Sequence, residues 1–156
     1  MIKLTRIDDR LVHGQVAFAW TPALGVDHLV VANDKVAKDE FMKMTLALAK
    51  PQGTKLLVKS LQEAAAFLNN EKNKGLNVLL IISSIKDAAV MAAEVPQIRS
   101  VNLGGIRLKD GARLISKAVG VNDQDIAIMR ELLSKGIEFE IRQLPTDNKQ
   151  MVESLI

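Results

Sequence analysis

The chain has 156 residues, no cysteine and two histidines, with 48% hydrophobic and 25% charged residues and a formal net charge of +3. That length and composition suit one folded domain, residues 1–156, with a core of ordinary size, and exclude disorder as the dominant state. The missing cysteines exclude a thiol nucleophile, a cysteine zinc site and an iron–sulfur cluster, and two histidines are too few for a histidine-rich metal site.

A pI near 9.2 does not by itself indicate nucleic acid. Basic residues are interspersed with acidic ones, as in Lys38-Asp-Glu-Phe-Met-Lys43, and four Phe and one Trp are too few for a base-stacking platform. No nucleic-acid partner is expected. The N-terminus carries Lys3 and Arg6 with too short an apolar stretch between them for a signal peptide. No segment approaches the ~18 apolar residues of a membrane span. A cytoplasmic location is the expectation.

Along the chain, short apolar runs alternate with segments of helical spacing. The runs are Ile2 to Leu4, Leu29 to Ala32, Leu56 to Val58, Val78 to Ile82 and Val101 to Leu103. Consecutive apolar positions over so few residues predict strands buried on both faces, as in a parallel sheet. Between them, residues 39–49 predict a helix with Phe41, Met44 and Leu48 on its apolar stripe. Ser60 with Glu63 is a capping box, and Ser84 with Asp87 repeats the device. Asn122 caps a helix with Ile126, Met129 and Leu133 on its apolar stripe, and Gly136 stops it.

Two stretches read differently. Asp110-Gly111 is a hairpin-turn signal, and 113–119 is a candidate strand after it. Ile137, Phe139 and Ile141 alternate with Glu138, Glu140 and Arg142, which predicts a half-exposed edge strand, antiparallel to the rest. The expected fold is α/β: an open, mostly parallel sheet with helices on both faces and one antiparallel edge strand near the C-terminus. In that architecture the site lies outside the carboxyl ends of the strands.

The loop after the first strand reads Arg6-Ile-Asp-Asp-Arg-Leu-Val-His-Gly-Gln-Val16. His13 stands just before a helix start, where the amides of Gly14, Gln15 and Val16 lack intrahelical acceptors. Those donors and the positive helix end favour an anion and disfavour a protonated imidazole. Gly14 lets a tetrahedral anion approach the backbone, and Arg10 supplies a planar fork for its oxygens. A phosphoryl group fits this set, with His13 as the attacking nucleophile, while a histidine beside a glycine is on spacing alone more often a helix cap or a satisfied structural residue. Adjacent Asp8 and Asp9 point to opposite sides of an extended segment, so they do not chelate one ion. They are expected in turn chemistry or as a brace for Arg6 or Arg10. His28, with no nucleophile, base or glycine turn beside it, is expected to be structural. No P-loop, dinucleotide fingerprint or nucleophile elbow competes.

The eleven residues from Arg6 to Val16 closely resemble the IIB component of the mannose/fructose/sorbose class of the bacterial phosphoenolpyruvate-dependent sugar phosphotransferase system. Weaker echoes follow at Val31-Ala-Asn-Asp34, Ala37 and Asp39, at Pro51 and Gly53, at Val101-Asn-Leu-Gly-Gly105, and at Ile137–Arg142 with Asp147. The resemblance implies a phosphoryl relay without a cofactor or metal. A phosphohistidine on a IIA component gives its group to His13, on Nδ1, and His13 passes it to a sugar entering through membrane IIC and IID components. The IIA donor is expected as a separate protein or domain, and the chain as peripheral to the inner membrane face. The expected catalytic pair is His13 and Arg10. The expected phosphate-binding set is Gly14, Gln15, Asp9 and Arg6, with Asp8 or Asp9 orienting Arg6, Arg10 or the ring. Asn33, Asp34, Asn102 and Gly104, in neighbouring loops, are expected to line the same cleft. Leu11, Val12 and Trp20 form a candidate docking patch, with Trp20 equally expected in the core. The competing reading is a non-catalytic, phosphate-sensing regulatory module on the same fold.

Overall fold

The computed structural model describes residues 1–156. The elements run β1 (Ile2–Asp8), α1 (Gly14–Leu24), β2 (His28–Ala32), α2 (Glu40–Ala49), β3 (Lys55–Lys59), α3 (Leu61–Asn69), β4 (Val78–Ile82), α4 (Ile85–Glu94), β5 (Ser100–Gly105), β6 (Arg113–Ser116), β7 (Val119–Val121), α5 (Asp123–Ser134), β8 (Glu138–Ile141) and β9 (Gln150–Met151). Seven strands form one sheet in the order β3-β2-β4-β1-β5-β8-β9. Every pairing among the first six is parallel. The buried runs Leu29–Ala32 and Val78–Ile82 are in the interior of this sheet, as apolar residues on consecutive positions require.

Two apolar cores flank the sheet. One gathers Ala17 and Trp20 of α1 and Leu46 of α2 against Leu4, Leu29, Val31, Leu79 and Ile81. The other gathers α3, α4 and α5 through Ala64, Leu68, Met91, Ile126 and Met129. The helices therefore cover both faces. Three caps read from the sequence are present: Ser60–Glu63 and Asn122–Asp125 as reciprocal capping boxes, and Ser84 accepting from the Asp87 amide. No helix is long and apolar enough to cross a membrane.

Three local expectations are corrected. The strand at 138–141 is not at the edge. β8 pairs in parallel with β5, and the short β9 takes the antiparallel edge position beside it. The antiparallel strand near the C-terminus exists, but at residues 150–151 rather than in the alternating stretch 137–142. Second, the Asp110-Gly111 turn does not join a hairpin. The hairpin is β6–β7, turning at Lys117 and Ala118 as a separate two-stranded unit. Third, Phe41, Met44 and Leu48 face solvent, with Leu48 85% exposed, and α2 is held to the core by Leu46 instead. Met42 and Ala49 also pack inward, so the stripe chosen from spacing was on the wrong side of a helix that is apolar almost all round.

Candidate active site

Alternation along β1 decides what the site is made of. Leu4, Arg6 and Asp8 point to the α1 side of the sheet, and Ile7 to the other. A strand normally spends such positions on apolar side chains, and here the last two are charged. After Asp8 the chain turns sharply: the Leu11 amide donates to the Asp8 carbonyl, and Leu11 sits at φ 59. The left-handed region costs a branched side chain of order 1–3 kcal/mol. Burial of Leu11 and Val12 in the α1 core offsets that cost and sends the next residue, His13, outward. Both residues are core rather than a docking patch, and so is Trp20, which is 1% exposed.

His13 is the N-cap of α1, with an extended backbone (φ −152, ψ 137), and its side chain makes no capping bond. The first intrahelical bond runs from the Ala17 amide to the His13 carbonyl. The amides of Gly14, Gln15 and Val16 are left pointing out of the helix end, as expected, and no acidic side chain sits in the first turn to occupy them. Gly14 takes φ +25, with open space where a Cβ would stand.

The imidazole faces Asp8 at 2.8 Å, between Nε2 and Oδ2. An ionised carboxylate only accepts, so Nε2 carries the proton. In the neutral ring Nδ1 is then a bare lone pair. Asp8 is itself held: Oδ2 accepts from Arg6 Nη2 at 3.3 Å, and Oδ1 from the Arg10 amide at 3.0 Å. Arg6 is 2% exposed and also donates through Nη1 to Asn102 Oδ1 (2.8 Å) and to the Arg142 carbonyl (3.1 Å). Burial pushes the Arg6 guanidinium below its usual value, and Asp8 opposes that push. Arg6 lies 5.6 Å and Arg142 5.0 Å from the centroid of the Trp20 ring, whose Nε1 donates to the Gln143 carbonyl. The result is a half-buried imidazole with fixed ring orientation and a bare Nδ1, beside free amides, backed by a buried carboxylate.

The model of the family "PTS system sorbose subfamily IIB component" matches residues 2–156. This chain belongs to that family. A probable phosphotransferase enzyme IIB component of Streptococcus pyogenes is 36% identical, with 100% of this chain and 99% of that one aligned. The mannose-specific EIIAB component of Escherichia coli is also 36% identical over the whole chain, and the chain spans 48% of that longer protein. The IIBSor domain of the sorbose permease from Klebsiella pneumoniae superposes with a TM-score of 0.94 at 32% identity, covering 99% of this chain and 94% of that one. The protein is thus a sugar phosphotransferase component of the sorbose/mannose class.

Within this IIB chain, the expected site residues divide into three groups. His13, Gly14 and Gln15 stand together at the α1 terminus, with the exposed Arg10 side chain making no hydrogen bond within the chain. Arg6 and Asp9 do not join them as phosphate contacts. Arg6 is buried behind Asp8, and the Asp9 carboxylate accepts from the amide and Nε of Arg107, at 2.9 and 3.0 Å. Asn33, Asp34, Asn102 and Gly104 do not line one cleft. Asn33 and Asp34 build the loop after β2, bonding the Val36 and Leu61 amides. Asn102 and Gly104 are buried in the sheet. An open cleft of about 240 Å³ reaches the loop at Asp9 and is lined further by Ser84, Lys86, Arg107, Lys109 and Asn122. Glu140 and Arg142 were missed as members of the site's support, because alternation placed them on a solvated face. His28 is structural, its Nδ1 paired with Asp27 at 2.6 Å.

Proposed function

We propose that this chain is one IIB domain that carries a phosphoryl group on His13, accepting it from a phosphohistidine of a IIA component and passing it to a sugar taken up through membrane IIC and IID components. The observation that carries the reading is the His13 ring itself, with Nε2 tied to Asp8 and Nδ1 bare at the end of α1.

The first transfer is an in-line displacement. The Nδ1 lone pair forms the new N–P bond as the donor's N–P bond breaks and its electron pair returns to the donor imidazole. His13 gains a substituent on Nδ1 while keeping the proton on Nε2, so the ring becomes cationic. Asp8 stabilises that charge, as an orienting carboxylate does for a catalytic histidine elsewhere. The Gly14 and Gln15 amides and the Arg10 guanidinium receive the phosphoryl oxygens. In the second transfer a sugar hydroxyl oxygen attacks phosphorus, the N–P bond breaks, and His13 returns to its neutral tautomer. The hydroxyl proton leaves to solvent or to a group on the membrane partner.

The E. coli relative carries IIA and IIB in its name, which supports a IIA donor for this chain. Relatives named for mannose, fructose and sorbose support a sugar as final acceptor. The chain's place in this scheme is the cytoplasmic side, peripheral to the membrane through IIC and IID. The test is to feed the relay from phosphoenolpyruvate and measure acid-labile phosphate on the chain. Wild type is expected to label and His13→Gln is not; equal labelling of both would sink the assignment.

A further inference from the structure

We propose that Glu140 is a positioning residue for His13, acting through Asn102, Arg6 and Asp8. The proposal rests on the reading of His13 as the phosphoryl carrier.

The three strands β1, β5 and β8 lie side by side, and Arg6 pairs in register with Asn102, which pairs in register with Glu140. Their side chains share the α1 side of the sheet. Arg6 Nη1 donates to Asn102 Oδ1 at 2.8 Å, and Asn102 Nδ2 donates to Glu140 Oε1 at 3.1 Å. Arginine can only donate and a carboxylate can only accept, so the Asn102 amide fits in one orientation alone. The chain of bonds therefore has a direction, running from Arg6 to Glu140. Asn102 is fully buried and Glu140 is 2% exposed, where a misdirected amide would cost a full hydrogen bond.

Charge makes the same demand. Arg6 and Arg142 lie over the Trp20 ring, and Asp8 and Glu140 are the two anions paired with them. Glu140 takes Arg142 in a two-pronged pair, with Nη2 and Nε within 3.1 Å of its oxygens. Arg6 is thereby left to Asp8, and Asp8 Oδ2 is shared between Arg6 and His13. Replacing Glu140 by a neutral amide leaves the buried Arg6 and the half-buried Arg142 with one carboxylate between them. It also removes the direction of the Asn102 bond, since a glutamine can present either an oxygen or an NH₂. Asp8 is then drawn from His13 and the Nε2 proton loses its fixed acceptor.

Gly104 belongs to the same device. A Cβ at this position would fall inside the Arg6 guanidinium, so the absence of a side chain is what lets Arg6 lie against Asp8.

The experiment is ring-nitrogen and ring-proton NMR of His13 in the unphosphorylated chain, beside phosphorylation rates. Wild type is expected to show the Nε2–H tautomer with an exchange-protected ring proton. Glu140→Gln is expected to show a measurable Nδ1–H fraction, loss of that protection, and transfer slowed about 10- to 100-fold, the scale of a small misplacement in a reacting group. The double variant E140Q/R142M restores charge balance and is expected to recover the wild-type ring signals only in part, because the introduced glutamine still leaves the Asn102 bond without a fixed direction. A merely structural Glu140 would lower the melting temperature and leave the ring signals of E140Q unchanged, and that result overturns the proposal. If E140Q does not fold, Glu140→Asp keeps the charge but withdraws it by one methylene; unchanged ring signals there overturn it equally. The ring signals need no phosphate donor, so altered signals in E140Q, with a wild-type chain that never labels, would sink the carrier reading and leave the positioning of His13 by Glu140 standing.

Discussion

His13 and Asp8 are five residues apart in sequence and 2.8 Å apart at Nε2 and Oδ2. One ends a central strand and the other caps a helix, and a tight turn through a left-handed Leu11 brings them together. The pairing links fold to chemistry, because a carboxylate held by Arg6 and by the Arg10 amide dictates which ring nitrogen keeps its proton.

Arg10 is the exposed cation of this loop, and its guanidinium takes no part in the packing. Arg10→Gln is expected to slow phosphoryl transfer about 10²- to 10³-fold, the cost of one preorganised donor to developing charge. Its unfolding free energy should stay within about 0.5 kcal/mol of wild type, as for other surface changes. Rapid-quench labelling and urea unfolding read the two quantities separately. Arg10→Lys is expected to recover only part of the rate, since a point charge cannot copy a planar fork.

The two glycines that end β5 look alike in sequence and differ in what surrounds them. A Cβ on Gly104 meets the buried Arg6 guanidinium, and a Cβ on Gly105 meets Asp8 Oδ1 at an ordinary 3.6 Å. Gly104→Ala is expected to cost about 1–3 kcal/mol as overpacking against a fixed neighbour. Gly105→Ala is expected to cost less than about 1 kcal/mol. Chemical denaturation of both variants checks the ordering; equal costs would contradict it.

Helix α2 offers a plain test of which side carries the packing. Leu46 is buried, while Phe41, Met44 and Leu48 are exposed. Leu46→Ala should destabilise by about 2–5 kcal/mol, the usual range for a leucine removed from a core. Phe41→Ser, Met44→Gln and Leu48→Gln should each change stability by about 0.5 kcal/mol or less. Thermal unfolding of the four variants distinguishes this arrangement from the reverse.

Asp87 gives a pH signature. Burial, and then the charge of Asp34, raise its carboxyl above the ordinary 3.8. The folded chain therefore holds a proton that the unfolded chain has already released. Between pH 3.8 and the raised folded value, stability falls as pH rises, and above that window the loss is constant. Asp87→Asn removes this slope, so the variant should gain on wild type with rising pH across the window. Unfolding free energies measured at a series of acid pH values check the sign.

Much of this was legible in the residues. The buried runs Leu29–Ala32 and Val78–Ile82 announce parallel strands because no solvated face has to be provided, and Ser60, Ser84 and Asn122 announce helix starts through their hydroxyls and amide. His13 was legible because its glycine and its helix end are neighbours in sequence. What was not legible depends on contacts between distant segments. Glu140 alternates with apolar residues as a solvent-facing residue would, yet the face it occupies is covered by Trp20 from α1 and shared with Asn102 from β5. Arg6 reads as a phosphate contact until the register of three strands is known. Phe41 and Leu46 are equally apolar, and only the approach of α2 to the sheet decides which is buried.

The proposed phosphoryl carrier is His13 Nδ1. Nitrogen-15 and phosphorus-31 NMR of the phosphorylated chain tests it most directly, through coupling between phosphorus and the bonded ring nitrogen. That coupling is expected at Nδ1 of His13, with Nε2 still protonated. A phosphoryl group on Nε2, or on any residue other than His13, would contradict it.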